Sequence, residues 1–247
     1  MIEMVNLTKT FGEKRAVNGL HLSINAGEFF AFLGPNAAGK TTTIKMLVGL
    51  LRPSSGHALI CGYDIQKKPL EAKRHISYVP DFPHLYEKLS AIEYLEFIGG
   101  VYELPKEVIA DESQRLLEAF HLNEAQNQLV EDFSHGMKQK LVMCGALLHD
   151  PAVIIIDEPM VGLDPRSARI LKDILKDKSK EGKTIFMSTH TLSVAEELAD
   201  RIGIINQGQL IALGTLDEIN DLNAQKSARL EETFLQLTQE EAYEEPV

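Results

Sequence analysis

The chain has 247 residues, 44% of them hydrophobic, enough to bury a core in one large domain or two small ones. Its 25 basic and 36 acidic residues leave a net charge of −11, which repels a phosphate backbone and argues against nucleic acid as a partner. The two cysteines, Cys61 and Cys144, stand far apart and outside any CxxC. They exclude a disulfide framework or a zinc site and read as reduced core residues of a cytosolic protein.

The start, Met-Ile-Glu-Met-Val-Asn, shows no basic residue followed by an apolar run, so no signal peptide is expected. No stretch approaches the roughly 18 apolar residues needed to cross a bilayer. Ile2, Met4 and Asn6 alternate with Glu3, Val5 and Leu7, which predicts a strand with one wetter face. Residues 21–25 predict a second strand before the turn at Ala26-Gly27. Phe29–Leu33 is a continuous apolar run, short enough for a buried strand, and it ends at Gly34. Helical spacing then runs over residues 41–51 through Ile44, Leu47, Val48 and Leu51.

Between that strand and that helix stands Gly34-Pro35-Asn36-Ala37-Ala38-Gly39-Lys40-Thr41, which fits GxxxxGK[ST]. Backbone N–H groups of such a loop, with the helix N-terminus behind it, cradle anionic oxygens. Lys40 is placed to reach the β- and γ-phosphates of a nucleotide, and the Thr41 hydroxyl to ligate Mg²⁺. The magnesium complex of a nucleoside triphosphate, MgATP in the first instance, is the ligand class this pattern points to.

From about residue 81 to 149 the pattern becomes helical, with Tyr94-Leu95, Phe97-Ile98, Leu116-Leu117, Phe120 and residues 141–148 at helical intervals. Residues 153–156 predict a second buried strand, which runs into Asp157-Glu158. Acids at the end of an apolar strand lie at the carboxyl edge of the sheet, where α/β folds bind ligands. There Asp157 would hold the Mg²⁺ shell and Glu158 would act as general base on the attacking water. Residues 167–178 predict an amphipathic helix with Ile170, Leu171, Ile174 and Leu175 inward. Its lysines, with Lys180 and Lys183, alternate with acids and read as a solvated face. A third buried strand over 184–188, a helix over Leu192–Leu198, and a hairpin around Asn206-Gln207-Gly208 follow. Leu230, Phe234 and Leu237 make a short amphipathic helix, and residues 240–247 an acidic tail. Buried parallel strands alternating with helices give an α/β fold with a helical insert.

These motifs, in this order, resemble the nucleotide-binding subunit of an ATP-binding cassette (ABC) transporter over essentially the whole length. Gly162-Leu163-Asp164-Pro165 is similar to the family's D-loop, and Phe133-Ser134-His135-Gly136-Met137 stands where the family has its LSGGQ signature. His190 matches the switch histidine, and Phe11 the aromatic under the adenine. The wording of these motifs is most similar to that of the drug- and antibiotic-exporter-like branch. The resemblance implies an α/β fold: a phosphate-loop NTPase core with a mainly parallel sheet, an N-terminal antiparallel β subdomain and a helical insert. It also implies one ATPase domain over 1–222, with core 1–80 and 150–222 and helical subdomain 81–149, followed by a C-terminal helix and acidic tail over 223–247. Two copies, identical or not, would face head to tail, with each ATP between residues 34–42 of one, Thr42 included, and Ser134 and Gly136 of the other. His190 would contact γ-phosphate and order the water beside Glu158.

Departures from the family pattern are informative. Ala37 replaces a usual glycine and, should the position need φ > 0, would cost about 1 kcal/mol. Asp81 stands in place of the Q-loop glutamine; its carboxylate can approach Mg²⁺ but adds negative charge near the phosphates. His135 and Met137 replace a glycine and a glutamine of the signature. After Asp81, the apolar Phe82, Leu85 and Tyr86 either line a groove for a short helix of a membrane permease or pack the helical insert. The expected protein therefore sits in the cytoplasm on the inner face of the cell membrane, hydrolysing ATP for a separate permease. A soluble ABC ATPase of translation or DNA maintenance, and an ATP-holding regulatory subunit with weak turnover, are the alternatives. The absence of an NKxD-type motif argues against a GTPase.

Overall fold

A computed structural model of the chain describes residues 1–160, 162–222 and 230–239. In chain order come β1 (Ile2–Phe11), β2 (Lys14–Ile24), β3 (Phe29–Leu33), α1 (Lys40–Leu47), β4 (Ser55–Ile60), β5 (Tyr63–Asp64), α2 (Pro69–Lys73) and β6 (Ile76–Val79). Three helices follow, α3 (Ala91–Val101), α4 (Lys106–Ala119) and α5 (His135–Leu147). Then β7 (Val153–Asp157), α6 (Pro165–Lys180), β8 (Thr184–Thr189), α7 (Leu192–Leu198), β9 (Arg201–Asn206), β10 (Gln209–Gly214), α8 (Leu216–Asn220) and α9 (Leu230–Gln239) complete the described chain. The expected tail over 240–247 lies outside the described residues.

Two sheets form. One is antiparallel, in the order β2-β1-β4-β5. The other runs β10-β9-β3-β8-β7-β6, with β9, β3, β8, β7 and β6 parallel and β10 antiparallel at the edge. β3, β7 and β8 are buried at every position, because both faces of that sheet are covered. Ile154, Ile156, Ile185 and Met187 face α3, α4, α5, α6 and α7. Val153, Ile155 and Phe186 face α1 and, beyond it, the antiparallel sheet. Phe186 stacks on Phe30 with ring centroids 5.7 Å apart, and its burial contributes about 1.5–3 kcal/mol. The strand alternation thus makes one sheet the wall of two cores, and it fixes the position of every strand's carboxyl end.

Several details differ from the sequence reading, each for a local reason. β1 bulges at Asn6, where φ is +49, and the ladder shifts register between Met4 and Leu7. The bulge turns Leu7, rather than Asn6, onto the core face with Ile2 and Met4. α1 ends four residues earlier than its apolar spacing suggests, because Gly49 takes φ +72 and its N–H bonds back to Met46. Cys144 is buried, but Cys61 is not a core residue: it sits half-exposed on the β4–β5 turn. The lysines of α6 and beyond pair with acids, Lys172 with Glu197 at 2.6 Å and Lys183 with Asp150 at 2.6 Å. No helix among the described residues is long and apolar enough to cross a membrane.

Candidate active site

β3 delivers the chain into the loop at residues 34–39, and the loop folds back on itself before α1 begins. Ala38 N–H bonds to Pro35 C=O at 3.2 Å, while the β9–β10 hairpin braces the turn from outside, Gly208 N–H donating to Ala38 C=O at 2.8 Å. Glycine is required at both ends of the loop. A Cβ on Gly34 would lie 2.4 Å from Ile205 O; Gly39 has φ +113 and its Cβ would lie 2.5 Å from Ala16 O. Gly39 caps α1 with no side-chain hydrogen bond, so the first amides of the helix remain available to an anion.

Ala37 adopts φ +65, the left-handed conformation that the family's glycine would take without strain. The alanine costs about 1–2 kcal/mol there, against about 0.5–1 kcal/mol saved in the unfolded chain. Ala37→Gly is therefore expected to raise stability by about 0.5–1 kcal/mol, read as a higher denaturant midpoint at unchanged slope.

Lys40 opens α1 with its ammonium under the loop, donating to Gly34 O at 2.6 Å and Pro35 O at 3.3 Å. It is 8% exposed, and burial lowers its pKa against the opposing pull of Glu158 and Asp157. Asp157 ends β7 and Glu158 follows it, and the parallel register of β7 on β8 sets Asp157 beside Ser188. Asp157 is buried; Oδ1 accepts a short hydrogen bond from Ser188 Oγ, and Oδ2 has no partner. Glu158, at φ +51, turns back toward the loop. Its Oε1 lies 3.9 Å from Lys40 Nζ and its Oε2 2.9 Å from His190 Nδ1. A non-glycine residue held at such a φ stores strain of about 1–3 kcal/mol, as functional side chains often do.

One cavity of about 360 Å³ collects most of the expected residues: Phe11 at one end, residues 35–42 along its floor, and Asp81, Asp157 and Glu158 opposite. Phe11 is 50% exposed at its rim, with Lys9 Nζ 5.0 Å from the ring centroid. Ser134 and Gly136 lie apart from this cavity, at the start of α5, where Ser134 Oγ accepts from Met137 N–H. His190 is largely exposed beyond the end of β8. Of the apolar trio after Asp81, Phe82 and Tyr86 are 68% and 59% exposed, whereas Leu85 packs partly into the helical core. Tyr86, though exposed, also meets Phe97 of α3 edge-on, with ring centroids 5.0 Å apart. Ser188 was not foreseen; only the paired register of two strands ending in polar residues could have pointed to it.

The family model described as "ABC transporter" matches residues 17–161. The chain belongs to the ABC transporter ATP-binding family. Among its relatives, the linearmycin resistance ATP-binding protein LnrL of Bacillus subtilis is 39% identical over 219 residues, covering 89% of this chain and 70% of that one. The Nod factor export ATP-binding protein I of Cupriavidus metallidurans is 37% identical over 221 residues, covering 90% and 73%. A solved ATP-binding subunit of an ABC transporter superposes with a TM-score of 0.92 at 33% identity, over 96% of this chain and 99% of that one. The dimeric post-hydrolysis structure of the cassette MJ0796 with ADP and Pi gives 0.80 at 25% identity, over 87% and 99%. As an ABC ATPase, the chain binds and hydrolyses ATP.

Proposed function

We propose that the chain powers export through a separate membrane permease, working as a dimer on the cytoplasmic face of the membrane. One observation carries this reading: the phosphate loop, Lys40, Asp157 and Glu158 meet at a single sheet edge, in the cavity that Phe11 closes. ATP would lie with its adenine on Phe11 and its phosphates on the amides of residues 36–42. Lys40 would neutralise the β- and γ-oxygens. The unpartnered buried Oδ2 of Asp157 and the Thr41 hydroxyl, both facing the cavity, are a hard-oxygen donor set suited to Mg²⁺. Asp81 lines the same wall and would complete that shell or its waters. The metal would supply charge neutralisation of the phosphates. Glu158 would take a proton from the attacking water, and His190, paired with it, would hold that carboxylate oriented and meet the γ-phosphate.

Ser134 and Gly136 would close the site of a second copy, identical or related, since they do not reach the cavity of their own chain. Residues 1–222 would form this catalytic unit, with 81–149 as its helical subdomain. The permease would dock where Leu50 and Phe82 expose apolar surface on a cavity of about 480 Å³ that reaches Thr41 and Asp81, and where Tyr86, edge-on to Phe97 of α3, is exposed. The export role is favoured by the relatives named for Nod factor export and for linearmycin resistance. The test is recruitment. Leu50→Asp and Tyr86→Asp should release the protein from membranes of its own cells while ATP binding stays intact. Retention of both variants on the membrane would contradict the docking face.

A further inference from the structure

His135 takes part in a contact that none of the chemistry above uses. It is the first residue of α5 and replaces a glycine of the family pattern. One edge of its imidazole meets Phe82, with ring centroids 5.9 Å apart and planes at 61°. The other side lies on Gly162: a Cβ built there would stand 2.4 Å from His135 Cδ2 and 2.7 Å from Nε2. Gly162 is at φ +80, so two separate constraints keep this position free of a side chain.

The same end of α5 holds the neighbouring loop elsewhere. Gly136 approaches Gly162 so closely that a Cβ on it would lie 3.0 Å from Gly162 O, and Lys140 Nζ stands 3.5 Å from Asp164 Oδ2. Asp164 in turn caps α6 through Ser167 N–H at 3.0 Å. The loop that leaves Glu158 is thus anchored to α5 along its far half. His135 adds what the backbone contacts do not, a bridge to Phe82, which is itself 68% exposed. His135 and Gly162 are themselves exposed, so the imidazole is a surface bridge, touching Phe82 with its edge and the bare Cα of Gly162 with its other side.

We propose that His135 is a positioning residue that ties the segment after Asp81 to the loop around Gly162 and so sets where Glu158 stands. The effect of this on turnover rests on Glu158 being the base; the mechanical coupling does not. Two readouts separate these. The first is amide hydrogen exchange, by mass spectrometry, of the peptide bearing Gly162 and Leu163, whose N–H bonds to Met160 O at 3.3 Å. His135→Ala and Phe82→Ala should each speed its exchange by about threefold or more, and the double variant no further than the larger single. His135→Phe, which keeps a ring in the bridge, should retain wild-type protection. The second readout is steady-state ATP hydrolysis. The two alanine variants should lower kcat by about fivefold with KM for ATP little changed, and His135→Phe should restore it.

Unchanged exchange in Phe82→Ala overturns the proposal whatever the kinetics show. So does a His135→Phe variant as slow as His135→Ala with normal exchange, which would make the imidazole a phosphate contact instead of a bridge. A wild type without hydrolysis would count against the ATPase assignment alone, and the exchange result would still decide the coupling.

Discussion

Glu158→Gln is expected to lower kcat for ATP by about 100- to 1000-fold while leaving ATP binding in place. The Glu158 carboxylate is held from both sides at the loop: one oxygen faces Lys40, the other His190. The amide keeps the shape and can still accept from His190 N–H, which lies 3.4 Å from Oε2. What it loses is basicity, so the proton of the attacking water has nowhere to go. Binding does not need that proton transfer, and removing one negative charge beside the phosphates favours ATP if anything. The variant should therefore accumulate ATP-bound dimers that elute earlier than the wild type on size exclusion. Slow turnover unchanged by the substitution would instead identify an ATP-holding subunit in which Glu158 is not the base.

The parts of this fold that could be read from the chain are those whose cause is local. β3 is an unbroken apolar run, and β7 and β8 carry apolar runs over 153–156 and 185–187, a pattern that covered faces favour in strands. The phosphate loop is equally local, since glycine spacing, Lys40 and Thr41 all act within eight residues. β6 was not legible: it has four residues, and Ser77 interrupts its apolar pattern. β4 opens on Ser55-Gly56 and buries only Ala58 and Ile60, too little to distinguish it from a loop. α8 is five residues long, and its Thr215–Glu218 capping box was the one signal available. The bulge at Asn6 depends on an asparagine entering positive φ, which many asparagines do not. In the site, Asp157 and Glu158 were legible as strand-end acids, but Ser188 reaches Asp157 only through the register of two strands 31 residues apart. The contacts of His135 with Phe82 and Gly162 are likewise made through space, and nothing in the local wording points to them.

Lys40→Ala should weaken MgATP binding by about 100-fold or more. A charge-assisted hydrogen bond to phosphate contributes about 1.5–3 kcal/mol, and the Lys40 side chain that would make it is only 8% exposed. The loss is compounded by what remains. With the ammonium gone, Asp157 and Glu158 face the triphosphate with no side-chain cation between them, and like charges at close range in a low-dielectric site repel strongly. The loop itself should survive, because its turn is held by the Ala38–Pro35 bond and by Gly208, neither of which involves the lysine side chain. Calorimetric titration of MgATP into the wild type and into Lys40→Ala, at matched folded content, reads this directly. The wild type should bind one ATP per chain and the variant should show no saturable heat over the same range. Equal affinity in the two proteins, or a wild type that takes up no nucleotide, would contradict a triphosphate seat at residues 34–42.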